Sequence, residues 1–320
     1  MNTRRTALMG DPRHFSVQGG ANPHTRTRWG RKRKVDRELA IQQWQRLKQS
    51  LEDLGIRVLV VPPDPAQPGL VYPANAGFQS RLDEPESISD KTFTLANLLP
   101  SRAGEKRHYR RVLENAGFRT TEIDARYRFE GEADFFPAGD GFLLTHGRVE
   151  RQRFVPSLGV PPWKRVYGFR TDAAVADVLA AQVAPKPVLS LGLVLESHYH
   201  GDTALCAFGP GRRSLLAYRR AIEPGDWKLL EDRFGNDLIE LGEADAQRYA
   251  ANSFSYSPSA SKSYLVLPAG VSERVLAQVR ERGTTPVPVD VSEFLAKGGG
   301  SVKCMIGDLG EVGTPVPGDD

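Results

Sequence analysis

Cysteine is scarce: the 320 residues contain two, Cys206 and Cys304. Two thiols cannot build a disulfide scaffold or a four-cysteine zinc site, so neither device holds this chain together. Long apolar runs are missing as well. No stretch approaches the ~18 residues that a membrane-spanning helix needs. The first thirty residues, with Arg4, Arg5, Asp11 and Arg13, hold no apolar core of a secretory signal. The expectation is a cytoplasmic protein with no membrane partner. No Gly- or Ser-rich linker separates two halves, so the chain reads as one domain over residues 1–320.

What is present suits a soluble enzyme: 40% hydrophobic and 26% charged residues. The net charge of +4 is unevenly spread. Ten Lys and Arg against Asp11 and Asp36 give the first 37 residues +8 and leave −4 on the rest. Most of that charge lies in the basic stretch 26–34, Arg26-Thr-Arg-Trp-Gly-Arg-Lys-Arg-Lys34. Such a run grips phosphates in some proteins and is a solvated loop before a helix in others. No helix-turn-helix, zinc-finger or RNA-binding signature accompanies it, so nucleic acid is not the expected partner.

Ala40, Trp44, Leu47, Leu51 and Leu54 are spaced four, three, four and three apart, which predicts a helix ended by Gly55. Ile56–Val61 then reads as a buried strand stopped by Pro62-Pro63. The same helix-then-strand pattern returns at Tyr109–Ile123 and Ser272–Val291, with looser versions at 173–189 and 244–256. Further strands are predicted at 141–144, 205–208, 214–218 and 264–267. Five such units suggest a repeated α/β layout. The stretch 310–320, with Thr314-Pro-Val-Pro-Gly318, is expected to fray.

Three segments carry candidate chemistry. Cys304 follows Gly298-Gly299-Gly300, whose missing side chains let a ligand or another chain segment come close. Lys303 and nearby peptide N–H groups would favour its thiolate; a catalytic thiol and a buried structural cysteine both fit this segment. In His198-Tyr-His-Gly-Asp202, a strand would put His198, His200 and Asp202 on one face, suited to proton transfer and to gripping a cation. The rival reading, a His-x-His zinc pair, needs a third ligand. Glu130, Glu132 and Asp134 lie between Phe129 and Phe135-Phe136, where desolvation invites a compensating cation. An acidic turn is the plainer alternative. Asn75 in Tyr72-Pro-Ala-Asn-Ala-Gly77 and Asn22 in Ala21-Asn-Pro-His-Thr25 sit within turn chemistry.

Taken in order, these segments, with Met9-Gly-Asp-Pro-Arg-His-Phe15 and Tyr167-Gly-Phe-Arg-Thr171, resemble the guanidino-group-modifying superfamily of amidinotransferases, arginine deiminases and dimethylarginine dimethylaminohydrolases. The pattern is closest to that of the arginine dihydrolases and runs from about Met9 to about Leu309. The resemblance implies an α/β pentein fold, five ββαβ-type units around a pseudo-fivefold axis with the site at the centre. It implies that Cys304 is the nucleophile, His200 the general acid and base, and Glu130 its acidic partner. It further implies substrate contacts from Asp202, Asn75, Asn22 and Arg102, and Asp134 is expected to join the carboxylates around a cationic substrate.

The implied activity is cysteine-dependent hydrolysis of a C–N bond in a guanidino or amidino compound, arginine or a derivative, through a covalent amidino-thioether. No cofactor and no metal are expected, and the partner is a small guanidino molecule. An amidinotransferase on the same fold, or a non-catalytic protein binding a guanidino ligand or nucleic acid, are the alternatives. Two departures from the dihydrolase pattern are expected near the pocket, His24-Thr25 after Pro23 and Gly201 between His200 and Asp202. Residues 148–166, rich in proline, read as an insertion that could serve as a lid or as the contact of a homo-oligomer.

Overall fold

One three-stranded unit recurs five times around a ring. The computed structural model describes residues 2–18 and 22–314; Ala21 of the Asn22 motif and residues 315–320 of the tail lie outside them. In every unit a first strand pairs antiparallel with a second, and a third, reached through a helix, lies parallel to the second. Gly77–Gln79, Thr92–Leu95 and Arg119–Glu122 form one such sheet, with helix Lys106–Asn115 as the crossover. Phe135–Ala138, Gly141–His146 and Val188–Gly192 form the next, with Ala176–Val183. Leu205–Phe208, Ser214–Ala217 and Leu238–Glu240 follow, with Pro224–Phe234. Phe254–Ser259, Lys262–Pro268 and Thr285–Val289 follow again, with Glu273–Glu281.

The remaining unit closes the ring. Its first strand is Gly307–Thr314, antiparallel to Asn2–Gly10, which runs parallel to Arg57–Val61 after helix Arg37–Asp53. The arrangement is the pentein α/β propeller that the motif order implies.

The local reasons are readable at each helix. Asp36 accepts a hydrogen bond from Leu39 N at 3.1 Å and caps the first helix. Ala40, Trp44, Leu47 and Leu51 form its buried stripe, and Gly55, at φ +85°, ends it in the left-handed region. Ser272 caps the Glu273–Glu281 helix in the same way, with Val275 and Val279 inward. These stripes pack on the sheets, Leu47 near Ile56 and Met9 in one cluster, Trp227 and Leu230 against Leu215 and Leu216 in another.

Two expectations change. The fourth helix-then-strand unit is Pro224–Glu240, not residues 244–256, where a five-residue helix, Glu243–Gln247, leads to the first strand of the next unit. The expected fraying from Gly310 gives way, as far as Thr314, to a strand held by the amino-terminal strand. The basic stretch 26–34 is a largely exposed loop before the first helix, pinned by an isolated bridge between Arg26 and Lys32 and by a bond from Thr27 N to Arg31 O at 2.8 Å. Residues 148–166 form a separate two-stranded arm, Arg153–Pro156 with Trp163–Val166. Among the described residues no helix is long and apolar enough to cross a membrane.

Candidate active site

Each unit enters its first strand through a tight turn at the ring's centre, and the candidate residues are delivered there. Turns Pro73–Ala76, Gly131–Ala133, Gly201–Thr203 and Lys303–Met305 precede the strands that begin at Gly77, Phe135, Leu205 and Gly307. They bring Asn75, Glu130, His200, Asp202 and Cys304 together from positions up to 229 residues apart. All five side chains are buried. Cys304, Glu130 and Asn75 line a cavity of about 380 Å³, with Asn22, Arg102 and Arg170 also on its wall.

His200 and Glu130 are a dyad, His200 Nε2 lying 3.0 Å from Glu130 Oε2. Leu99 N donates to the other carboxylate oxygen at 3.0 Å. Burial pushes the Glu130 carboxyl up, but the bond to His200, its charge, and the guanidinium groups of Arg102 and Arg170 outweigh this and hold it down at about 2. The ring's other nitrogen is set by a relay. Arg102 Nη1 donates to Asn75 Oδ1 at 2.9 Å, turning the amide NH₂ toward His200 Nδ1 at 3.2 Å. That nitrogen therefore accepts, a geometry that selects the tautomer with the proton on Nε2, facing Glu130.

Cys304 sits on the other side. Its thiol donates to Asp202 Oδ2 at 3.4 Å, while Asp202 Oδ1 is buried with no hydrogen-bond partner. Burial, then the Asp202 charge, push the Cys304 thiol well above its usual range. Burial also raises the Asp202 carboxyl to about 6, against the opposing pull of His200 and Lys303. A protonated thiol beside a half-satisfied carboxylate is an arrangement that a cation would stabilise.

The glycines before Cys304 have a steric reason. A side chain on Gly298 or Gly300 would strike the Tyr72 ring, and Gly299 adopts a left-handed φ of +77°. The close neighbour they admit is thus a tyrosine at the turn that leads into Gly77–Gln79. Asn22 Nδ2 joins this wall, donating to Gly298 O at 2.8 Å and to Tyr199 Oη at 3.1 Å.

Several site expectations are corrected. Asp134 does not face the cavity: it accepts from Thr145 Oγ1, Thr171 Oγ1 and Gly201 N at 2.7, 2.7 and 2.9 Å, so it braces the His200 turn from below. Lys303 does not reach the thiol, because Glu132 takes its ammonium at 2.5 Å and Ile306 O at 3.0 Å. His198 and His200 do not share a strand face; Glu196–His198 and Gly201–Thr203 are separate helical turns, and His198 Nε2 points to Ala246 O at 3.3 Å. Among the described residues no group of three or more His, Cys, Asp or Glu could hold a metal. Of the two departures, Thr25 lines the cavity beside Asn22 as expected, whereas the His24 ring turns to Tyr249 Oη at 2.8 Å and a side chain at Gly201 would strike Thr145. Arg102 lines the cavity, but its charge is matched by a two-point pair with Glu105 at 2.8 and 2.7 Å.

Two wall or floor residues escaped the sequence reading. Arg170, in the Tyr167-Gly-Phe-Arg-Thr171 motif, places its guanidinium 5.2 Å from the Tyr199 ring centroid; the motif located it without a role. Asn252, with no flanking pattern to mark it, touches Cys304.

Fold and site together define a pentein of the guanidino-group-modifying class. The family described as N,N dimethylarginine dimethylhydrolase, eukaryotic, matches residues 170–310. The chain is 33% identical over 303 residues to the N(G),N(G)-dimethylarginine dimethylaminohydrolase of Mycobacterium tuberculosis, covering 94% of this chain and 84% of that one. It is 30% identical over 307 residues to the bifunctional arginine dihydrolase/ornithine cyclodeaminase AgrE of Nostoc sp., spanning 95% of itself but 38% of that protein. The product-bound amino-terminal domain of ArgZ, a cyanobacterial arginine dihydrolase, superposes with a TM-score of 0.79 at 25% identity, over 98% of this chain and all of that domain. The chain belongs to the dimethylarginine dimethylaminohydrolase family, whose named relatives here are hydrolases of guanidino compounds.

Proposed function

We propose that this chain hydrolyses a C–N bond of a linear guanidino compound with an amino-acid skeleton, arginine or an N-substituted arginine, through an amidino-thioether on Cys304, and that residues 1–320 act as one catalytic domain. The observation that carries the reading is the Cys304 thiol held 3.4 Å from Asp202, whose second oxygen is buried without a partner. A guanidinium brought to the sulfur meets that carboxylate, which compensates the charge on both.

The chemistry follows from the residues. With Asp202 paired to the cation, Cys304 loses its proton and its sulfur bonds to the guanidinium carbon. The C–N bond to the departing amine breaks, and the thiol's proton, passed on by His200, ends on that amine. His200 then takes a proton from water, which attacks the same carbon. The C–S bond breaks, returning the thiol and releasing a urea-type product. Glu130 stabilises the ring while it is charged. Arg102 and Arg170, at the cavity wall, suit a substrate carboxylate.

The test is a panel of arginine, mono- and dimethylated arginines, agmatine and creatine, reading ammonia, alkylamines, citrulline, ornithine and urea together, with and without an acceptor amine. At least one amino-acid member should lose a C–N bond, agmatine should be poorer by about tenfold or more for want of a carboxylate, and the adduct should map to Cys304 by mass. Turnover of none, or transfer to the acceptor in place of hydrolysis, would overturn it.

A further inference from the structure

Four of the five central turns supply a residue to which the motifs assign a role. The fifth, leading into the strand that begins at Phe254, supplies Asn252. By position in the ring it is the counterpart of Asn75, each lying two residues before the first strand of its unit. Its side chain is fully buried and wraps the thiol's own turn. Oδ1 accepts from Ser301 N and Cys304 N, both at 3.1 Å, and the Asn252 carbonyl accepts from Lys303 N at 3.1 Å. Nδ2 donates to Asp202 O and to Cys304 Sγ, both at 3.2 Å.

Two backbone N–H groups on Oδ1 fix which end of the amide faces the sulfur. That end is NH₂, which can only donate. A donor prefers the thiolate, whereas Asp202, as an acceptor, prefers the thiol. The two groups therefore pull the proton in opposite senses, and the balance tips when a cation occupies Asp202. The turn is also held against its backbone preference: Tyr249, three residues earlier, has φ +57°, and its hydroxyl is tied to Ser197 O and to His24 Nε2. Strain of this kind persists where the surroundings impose it.

We propose that Asn252 is the residue that stabilises the Cys304 thiolate and positions its turn, one amide clamping the loop through Oδ1 and donating to the sulfur through Nδ2. The inference rests on the reading of Cys304 as nucleophile. Its consequence is a division of labour: Asp202 keeps the resting sulfur protonated, and Asn252 receives the thiolate once substrate has arrived.

The experiment compares Asn252→Asp and Asn252→Ser in a Cys206→Ala background, so that iodoacetamide alkylation followed from pH 6 to 10 reports Cys304 alone. Asn252→Asp keeps acceptors for both N–H groups and removes the donor; Asn252→Ser keeps a small hydroxyl if the carboxylate proves too costly to fold. Alkylation at any one pH in that range should be roughly tenfold slower in the Asp variant, with a smaller slowing for Ser. For whichever substrate the wild type turns over, kcat should fall about tenfold or more while KM stays within about threefold. A folded variant with the wild-type alkylation profile overturns the proposal, even where Cys304 is shown to be the nucleophile. If no substrate is turned over, the functional reading fails and the alkylation profile still decides the role of Asn252.

Discussion

Cys206 and Cys304 are both buried thiols within the same ring, yet their surroundings differ in kind. Cys206 lies within the strand Leu205–Phe208, packed in the largest apolar cluster, and its sulfur meets a carbonyl, Ser253 O, at 3.4 Å. Burial pushes its thiol up to about 12, with a smaller push from the Asp202 charge and an opposing pull from Lys303. Cys304 lies in a turn at a cavity, between a carboxylate and an amide donor. Burial alone makes a thiol inert. What separates a nucleophile from a core residue here is a place on the wall of the larger cavity, in direct contact with a carboxylate whose charge a substrate can cancel.

The largest effect that tests this contrast comes from Cys304→Ser. Serine keeps the size and loses the accessible anion, so turnover should fall by roughly 10⁴-fold or more, with the circular dichroism spectrum unchanged. Substantial activity in that variant would place the chemistry elsewhere and leave the two cysteines equivalent.

The sequence made one side of the contrast visible and hid the reason for it. Helix Arg37–Asp53 is readable because Ala40, Trp44, Leu47 and Leu51 keep one face for about three turns. The crossover before Leu238–Glu240 is not, because a three-residue strand is too short to show alternation, and the apolar residues after Gly242 offer a competing pattern. Cys304, His200 and Glu130 stand in motifs whose order carries information. Asp134 stands in the same motif as Glu130, and only the fold reveals that Thr145 and Thr171 consume its oxygens. Lys303 adjoins Cys304 in the chain, but in a turn of this kind neighbours point apart, and Glu132 holds it. Asn252 lies 52 residues from the sulfur it touches, in Ala-Ala-Asn-Ser, a context with no periodicity and no charge. Contacts made across the ring's centre depend on five turns converging, which no local pattern encodes.

Asp202→Asn sharpens the comparison at intermediate size. The native carboxyl is raised to about 6 from an ordinary 3.8, so its stabilising share is complete below pH 3.8 and is lost as pH rises through 6. Above that, keeping the anion buried costs on the order of 3 kcal/mol. The amide has no such loss. The variant should therefore melt higher than wild type at pH 8, with the gap closing between pH 6 and pH 4, while activity falls about a hundredfold or more. Its Cys304 thiol, freed of the neighbouring charge, should alkylate faster at neutral pH. A lower melting temperature at pH 8 would mean that Asp202 is satisfied in the resting protein, contrary to its unpartnered oxygen.

The smallest effect belongs to Cys206→Ala, and its smallness is the point. The substitution removes one sulfur from a packed cluster and leaves a void of about a methyl group, worth on the order of 1 kcal/mol. Its Sγ donates only weakly to Ser253 O, so no buried partner is left with a large deficit. Urea denaturation should show that modest loss, and kcat should stay within about twofold of wild type. The neighbourhood makes this a demanding test, since Cys206 and Asp202 both line a cavity of about 50 Å³ on the far side of the central turns. A large fall in kcat from Cys206→Ala would mean that this far side communicates with the sulfur through Asp202. The distinction between the two thiols would then lie in access to substrate alone, since both would contribute to the reaction.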